Sequence, residues 1–312
     1  MKTKHIAYIL LAAAAVVLAT IFFWPKPAKE RGTIISSSFI GMDFATAVTG
    51  EATAVLPLLP PNADMHDYEP TPQDVITIQK AELFIYIGGE SESWVERLLE
   101  DNEISSDKTL RLMDFVEPKK EELKEGMEDE EEEGEEDEYD EHIWTSPKNA
   151  VRLVNAIRDK LTAMNYADAK TLEINAKRYT DHLEDLDKRF ATLVQNAKRK
   201  TIIVADRFPF RYFVDEYGLD YYAAFPGCSE QTEPSAATVA NLMHRAEETG
   251  TTIIFKTESS DGRLARTVAE VTGAQVRVLK SGHNITADDQ SSGKRYVDML
   301  EDNYFALSEA LN

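Results

Sequence analysis

The sequence predicts an α/β protein: two parallel-sheet α/β lobes joined by one long backbone helix, with a ligand cleft between the lobes. In each half of the chain, short apolar runs with strand character alternate with helical patterns of about ten residues, as in parallel α/β sheets. One longer helical pattern separates the two halves. A chain of 312 residues is too long for one ordinary single-core domain and suits two.

The N-terminal residues 1–32 predict a signal anchor followed by a short linker. Lys2 and Lys4 precede an apolar run from Ile6 to Trp24, which would reach roughly 28 Å as a helix, close to the ~30 Å hydrocarbon core of a bilayer. This is long for a cleaved signal peptide, so we expect an uncleaved anchor with the rest of the chain outside the cell membrane, and a cleaved secreted form as the alternative. No cysteine lies near the end of the run, which argues against lipid attachment there.

The first lobe, predicted over residues 33–166, shows strand–helix pairs. The strand "TIISSSF" is followed by the helix "GMDFATAVTG", and the strand "ATAVLPLL" leads to the helix "TPQDVITIQKA". The latter helix is expected to begin with Thr71 as N-cap and Pro72 in its first position. The buried strand "AELFIYIGG" then precedes the helix "SESWVERLLED". This alternation predicts a parallel sheet.

An acidic insertion is predicted within this lobe over residues 120–141. In "EDEEEEGEEDEYDE", residues 128–141, twelve of fourteen positions are acidic and carry −12 of the net charge of −22. Like charges at this density predict a solvated, disordered loop for most of this run, and the alternative is a weak cation-collecting loop beside a metal site. The next helix is expected to begin at Ser146 and Pro147, directly downstream of His142.

One helix is predicted to connect the lobes over residues 167–198. Its apolar residues recur at spacings of 7, 4, 3, 4 and 3, and they are Leu172, Tyr179, Leu183, Leu186, Phe190 and Leu193. At about 1.5 Å per residue this helix would be roughly 48 Å long, more than the width of a small domain. Such a length is typical of a rigid connection between two lobes.

The second lobe, predicted over residues 199–312, repeats the alternation. Strands are expected at "KTIIVAD", "LDYYAAF", "TTIIFK" and "AQVRVL", and helices at "PFRYFVDEYG", "SAATVANLMHRAEETG" and "GRLARTVAEVTG". The segment "SSGKRYVDMLEDNYFALSEAL" predicts a terminal amphipathic helix. A cleft between two such lobes is a common ligand site.

Charge and cysteine content exclude several classes of protein. A net charge of −22 argues against a nucleic-acid binder, which needs a basic surface, and is consistent with cation binding. The single cysteine, Cys228, excludes an intrachain disulfide and a multi-cysteine zinc site.

Three of the six histidines are expected in loops after strands or at helix starts, where α/β sheets bind ligands. His66 lies in "NADMHDYEPTPQDV", a loop stiffened by Pro70 and Pro72. His142 precedes a helix of the first lobe, and His283 follows a strand of the second. A lone loop histidine is usually only hydrogen-bonded, but three from two lobes predict a metal cleft that suits Zn²⁺. The other three, His5, His182 and His244, are expected in the signal segment or on helices.

Several blocks of the chain resemble the substrate-binding proteins of zinc and manganese ABC transporters. They include "LLPPNADMHDYEPTPQDVITIQKAELFIYIGG", "DEHIWTSPKNAVRLVNAI", "RYFVDEYGL", "TEPSAATVANL" and "LARTVAEVTGAQVRVL". The resemblance runs from about Thr33 to Leu311. It implies a two-lobed fold with a backbone helix, His66 and His142 as the first and second metal ligands, and an ABC transporter permease as the partner.

The sequence departs from the family pattern at the third and fourth ligands. The family's third ligand, a His or Glu, falls at Arg207, whose guanidinium has no lone pair to donate, so this ligand is lost or shifted to Asp206. The fourth falls about at Gly282 or His283, and His283 is expected to supply the ligand of the second lobe. Four-coordination would be completed by Asp206, Glu230, Glu233 or water. The alternatives for Arg207 are an ion pair with a carboxylate or a clamp between the lobes.

We therefore expect a protein that captures a divalent transition metal outside the cytoplasm and delivers it to an ABC transporter permease. Zn²⁺ is expected rather than Mn²⁺ because nitrogen donors outnumber carboxylates. Neither enzymatic activity nor a nucleic-acid partner is expected. Two other classes stay open: a surface adhesin or scaffold that kept the fold but lost transport, and a zinc hydrolase, since three histidines and water also form a catalytic zinc set.

Overall fold

The computed structural model describes residues 32–51, 53–127, 139–229 and 233–312. The predicted signal anchor and residues 128–138 of the acidic insertion lie outside these ranges. Gly32–Asn312 form one compact unit. Within the described ranges, no helix combines the length and the apolar character that crossing a bilayer requires.

The first sheet has four parallel strands in the order β2-β1-β3-β4. They are β1 (Ile34–Ser36), β2 (Val55–Pro57), β3 (Leu83–Tyr86) and β4 (Thr109–Arg111), connected by helices α1 (Phe39–Thr49), α2 (Pro72–Lys80) and α3 (Ser93–Asp101). In the register, Ile34 lies beside both Val55 and Leu83. Strand β4 was not predicted, because it has three residues and only Leu110 is buried.

Local sequence explains where α2 begins. Thr71 Oγ1 accepts a hydrogen bond from the N–H of Asp74, and the Asp74 carboxylate accepts one from the N–H of Thr71 at 2.8 Å. Pro72 occupies the first turn, where a missing N–H removes no helical hydrogen bond. The predicted cap is therefore confirmed, and it sets where the loop that carries His66 ends.

Helices α4 (Pro147–Ala163) and α5 (Ala169–Asn196) lie between the two sheets in the chain, and α5 is 28 residues long. Of the predicted apolar residues of α5, four are fully buried: Leu172, Leu183, Leu186 and Phe190. Tyr179 is only partly buried, and its hydroxyl donates to Asp43 of α1. The same carboxylate accepts a hydrogen bond from Arg295. Helix α5 thus contributes apolar side chains to the core and, through Tyr179, a hydrogen bond to α1.

The second sheet repeats the topology of the first in the order β6-β5-β7-β8, again with parallel strands. They are β5 (Thr201–Phe208), β6 (Asp220–Pro226), β7 (Ile253–Lys256) and β8 (Gln275–Val278), connected by α6 (Arg211–Tyr217), α7 (Ala236–Thr249) and α8 (Arg263–Thr272). One continuous hydrophobic core includes side chains from both sheets and α5. The predicted fold class is confirmed.

The predicted terminal helix begins later than expected, at Tyr296 instead of Ser291, and forms α10 (Tyr296–Leu311). A short helix that was not predicted, α9 (Ala287–Ser291), precedes it. Gly293, between them, has a φ of 73°, a left-handed conformation that cannot continue a right-handed helix. The Asp298 carboxylate then accepts a hydrogen bond from the N–H of Arg295 at 2.8 Å, so that α10 begins afresh.

Both flanks of the acidic insertion pack against the protein. Lys120 pairs with Tyr139 in an antiparallel bridge, and Glu121 accepts a hydrogen bond from the N–H of Cys228 at 2.8 Å. Asp140 and Glu141 are 1% and 0% exposed, so the solvated loop predicted for most of residues 128–141 does not extend to these two. They are buried because each has a polar partner in the site described next.

Candidate metal centre

His66 lies in the loop between β2 and α2. Its backbone N–H donates to Asp64 Oδ1 at 3.1 Å, a local turn that helps to fix the direction of the loop. The same loop is tied to the second lobe, because Asn284 Nδ2 donates to the carbonyl oxygens of Pro60 at 2.7 Å and Ala63 at 2.8 Å. The first histidine is thus held by both lobes.

His142 lies just before α4. Asp140 Oδ1 accepts hydrogen bonds from the backbone N–H of His142 at 2.7 Å and from its Nδ1 at 2.9 Å. The imidazole is fully buried, and among the described residues its other nitrogen, Nε2, has no hydrogen-bond partner. A buried polar atom without a partner costs free energy unless a ligand contacts it. This nitrogen therefore marks a ligand position.

His283 lies in the loop after β8, where Gly282 has a φ of 75°. A Cβ at Gly282 would lie 3.3 Å from Trp144 Nε1, so glycine permits the loop to approach the first lobe closely. Trp144 Nε1 donates to the carbonyl oxygen of Ser281 at 2.8 Å. Ser281 Oγ lies 3.1 Å from His283 Nδ1 and donates to Glu258 Oε1 at 2.9 Å. Glu258 thereby orients the third histidine through a hydroxyl.

These loops bring the three imidazoles together. The ring centroids are 5.7 Å apart for His66 and His142, 5.1 Å for His66 and His283, and 4.3 Å for His142 and His283. One ligand atom from each ring lies within 4.8 Å of the other two, and the Nε2 atoms of His66 and His283 are 3.3 Å apart. Each Nδ1 has its own polar neighbour, which for His66 is Glu141 Oε1 at 3.4 Å. Protonation at Nδ1 leaves the Nε2 lone pairs for a metal ion.

Burial keeps these rings neutral. It is the largest cause of a lowered pKa at His66, His142 and His283, and neighbouring imidazoles lower the pKa of the last two further. Burial also raises the pKa of Asp140 to about 7 and that of Glu141 to about 8. Neutral imidazole is the form that binds metal, so the centre can accept a cation near neutral pH.

Within the described ranges, the group of possible metal ligands that contains the three histidines includes neither Asp206 nor Glu233. Asp206 Oδ2 accepts hydrogen bonds from the N–H of Thr257 at 3.0 Å and from its hydroxyl at 2.8 Å, and Oδ1 accepts one from the N–H of Arg207 at 2.9 Å. Asp206 thus links β5 to the end of β7, and its role as a metal ligand stays a prediction. Glu233 forms an exposed ion pair, and Glu230 lies outside the described residues.

Arg207 contacts the first lobe. Its Nη2 donates to Asp64 Oδ2, and its Nη1 donates to the carbonyl oxygen of Ser229 at 3.4 Å. Burial by itself would raise the pKa of Asp64, but the Arg207 charge and hydrogen bond outweigh it and lower that pKa to about 2. An ion pair with a carboxylate, one of the two roles considered for Arg207, is what the structure contains, and it joins the two lobes.

A second group of possible ligands shares His142 with the first. It consists of Glu141, His142 and Cys228, with one ligand atom from each within 4.8 Å of the others. Burial, followed by the charges of Glu141 and Glu121, raises the pKa of the Cys228 thiol well above its ordinary value. Because the thiolate is the form that binds metal, this group adds little to the histidine centre.

The partners that orient the histidines were not predicted from the sequence. Asp140 and Glu141 directly precede His142, and this proximity was a signal. It was overlooked because both residues belong to the acidic run. Glu258 had no local signal, because its hydrogen bonds to Ser281 span 23 residues and depend on the fold.

Comparison with known proteins shows the family to which the chain belongs. Residues 34–310 match the protein family described as "Zinc-uptake complex component A periplasmic". The zinc-binding lipoprotein AdcA of Streptococcus pneumoniae is 32% identical over 303 residues, which are 96% of this chain and 60% of that protein. The high-affinity zinc uptake system protein ZnuA of Bacillus subtilis is 31% identical over 281 residues, which are 89% of this chain and 87% of that protein.

A solved structure shows the same fold. The Zn(II)-bound ZnuA-like domain of Streptococcus pneumoniae AdcA is 30% identical with a TM-score of 0.75, and the match covers 90% of this chain and 99% of that domain. This chain thus spans only 60% of the length of AdcA, but nearly all of its ZnuA-like domain.

Proposed function

The chain belongs to the family of zinc-uptake complex component A proteins, and from that premise we propose that it captures Zn²⁺ outside the cytoplasm and delivers it to the permease of an ABC transporter. The observation that carries this proposal is His142 Nε2, a fully buried nitrogen without a partner among the described residues, in a cluster with two other imidazoles. Buried polar atoms are normally satisfied, and a cation would satisfy this one.

The ligand chemistry favours zinc as the cargo. Imidazole nitrogens from His66, His142 and His283 bind Zn²⁺ more tightly than Mn²⁺, which prefers oxygen ligands. An oxygen would complete four-coordination. We favour water for this role, because Asp206 would first have to give up its hydrogen bonds to Thr257. Mn²⁺ is the second candidate cargo.

Capture and release follow from the division of the ligands between the lobes. His66 and His142 come from the first lobe and His283 from the second, so a bound cation bridges the cleft. The groups beside each Nδ1 fix the ring orientation and increase the basicity of Nε2. Separating the lobes would withdraw His283 from the other two rings and lower the affinity, which is a route for release to the permease.

An uncleaved anchor at Ile6–Trp24 would hold the chain at the outer face of the membrane. The support is the length of the apolar run, which matches a bilayer. A membrane attachment also fits the name of the Streptococcus pneumoniae relative, a lipoprotein. N-terminal sequencing of membrane-extracted protein tests this placement, and a mature N-terminus at residue 28 or beyond would support the cleaved form instead.

The alternatives, a zinc hydrolase and a surface adhesin, have weaker support. The family comprises metal-binding transport components rather than enzymes. No feature of the described residues favours either alternative over metal capture.

Competition titration with a zinc-chelating dye tests the proposed function. The wild-type protein is expected to remove Zn²⁺ from the dye, and His142→Ala is expected to weaken binding at least about 100-fold because it removes a nitrogen ligand. His182→Ala and His244→Ala are matched controls, since both side chains are exposed helix residues. Equal binding by His142→Ala and the controls would exclude the histidine centre as the zinc site.

A further inference from the structure

The Arg207–Asp64 ion pair crosses the cleft next to the three histidines. Arg207 lies near the carboxyl end of β5, and Asp64 lies two residues before His66. The two side chains are 20% and 23% exposed, so solvent screens their charges less than those of a surface pair. Asp64 uses its other oxygen to accept the backbone N–H of His66 at 3.1 Å. One carboxylate therefore connects the guanidinium of the second lobe to the histidine loop of the first.

Both charges of this pair lie beside the histidine loop. Asp64 contacts Arg207 through one oxygen and the backbone N–H of His66 through the other. In a partly buried site, a fixed charge repels a nearby ion of the same sign and attracts one of the opposite sign. Arg207 therefore opposes a bound cation, and Asp64 favours it.

The two charges of the pair offset each other beside the centre. An arginine stays protonated, so its charge is permanent, and its ion-pair partner is Asp64. Asp64 consequently attracts a bound dication less than it would without Arg207, which limits affinity and favours release.

We propose that Arg207 is an affinity-setting residue: its fixed positive charge, balanced by Asp64, holds the zinc affinity of the histidine centre below what the same ligands would give without it. This inference rests on the proposed function and names a residue that adjusts the zinc affinity. Arg207 does not contact the cation and acts on it through charge and through Asp64.

Three variants test this role by the sign of their effects. Arg207→Gln leaves Asp64 uncompensated and is expected to tighten zinc binding at least about tenfold, since Coulomb attraction between a dication and a unit charge is large near a partly buried site. Asp64→Asn leaves Arg207 uncompensated and is expected to weaken binding by a similar factor, while its amide oxygen still accepts the N–H of His66. The double variant is expected to return to within about threefold of the wild type, because the two effects cancel.

The measurements are the Kd from dye competition and the dissociation rate after addition of excess chelator, together with thermal unfolding to confirm folding. Arg189→Gln is the matched control, because Arg189 forms an ion pair with Glu301 at comparable exposure, 31% and 27%, between α5 and α10. It should leave both zinc constants within about twofold of the wild type.

The outcomes separate two kinds of failure. If both single variants weaken binding, the pair only tethers the lobes and the affinity-setting role is overturned. If neither changes the Kd, the charges do not act on the cation and the role is likewise overturned. If the wild-type protein binds no zinc, the proposed function itself fails. Opposite signs in the single variants, with faster release in Asp64→Asn and slower release in Arg207→Gln, support the inference.

Discussion

The two sheets have the same strand order, β2-β1-β3-β4 and β6-β5-β7-β8, yet the loops at their carboxyl ends carry different chemistry. The first lobe contributes two imidazoles, His66 and His142, each with a carboxylate near Nδ1. The second contributes one imidazole, His283, held by a hydroxyl, and one guanidinium, Arg207. A repeated scaffold therefore does not imply repeated chemistry, because the site depends on the loops. We expect the first lobe to dominate capture and the second to control release.

The largest expected effect tests which residue of the second lobe is the zinc ligand. His283→Ala should weaken zinc binding at least about 100-fold, because it removes the nitrogen ligand that this lobe supplies. Asp206→Ala should keep the Kd within about threefold but lower the melting temperature, since Thr257 loses an acceptor. Dye competition and thermal unfolding of both variants provide the comparison. The reverse ranking would assign the ligand to Asp206.

A smaller effect sharpens the contrast between direct and indirect support of the rings. Asp140→Asn should weaken zinc binding about tenfold, because Asp140 contacts Nδ1 of His142 directly. Glu258→Gln should weaken it less than about threefold, because Glu258 reaches His283 only through Ser281. Isothermal titration calorimetry on both variants is the measurement. Equal losses of zinc affinity would show that direct and indirect contacts orient the histidines equally well.

The pH dependence of zinc binding tests whether burial lowers the pKa of the histidines from both lobes. Since burial lowers the pKa of His66, His142 and His283, zinc affinity should fall less than about tenfold between pH ~7 and pH ~5.5. Three histidines with an ordinary pKa near ~6.5 would lose affinity several hundredfold, roughly, over the same range. Competition titrations at several pH values decide between these outcomes.

The stability of the metal-free protein depends on two opposing contributions. As pH falls through about 6.5, the unfolded chain protonates these histidines before the folded protein does, so their contribution to stability is lost. The raised pKa values of Asp140 and Glu141, about 7 and about 8, act oppositely, because stability from these groups is present at low pH and lost as pH rises through those values. Asp140→Asn should therefore lose more stability on acidification than the wild type, as thermal unfolding from pH ~8 to pH ~5.5 would show. If the stability of the two proteins changes equally with pH, Asp140 does not oppose the contribution of the histidines.

The smallest expected effect concerns the acidic run of the first lobe. Deleting residues 128–138 should change the Kd for zinc less than about threefold, because the ligands lie elsewhere, but it should slow capture at low salt by removing negative potential. The deletion has to stop before Tyr139, since Asp140 holds His142. Stopped-flow capture at two ionic strengths measures the effect. A large loss of affinity would mean that the run supplies a ligand.

Local patterns predicted the parts of this molecule that depend on neighbours in sequence. Thr71 and Pro72 predicted the start of α2, and the spacing of apolar residues from Leu172 to Leu193 predicted α5. The ion pair of Arg207 with Asp64 could not be assigned in advance, because the two residues are 143 positions apart and meet only when both sheets have formed. The start of α10 was predicted too early because Gly293 lies inside an otherwise amphipathic pattern.

The hydrogen bonds from Asn284 to Pro60 and Ala63 have a consequence for the biosynthesis of the protein. They join positions 224 and 221 residues apart, so the loop of His66 gains these supports only after almost the whole polypeptide has left the ribosome. Contacts of such long range form late and slowly in folding. Under the proposed placement outside the membrane, a chain that is exported before these contacts form would carry separated imidazoles past the metal ions of the cytoplasm. The complete centre would then assemble only after export.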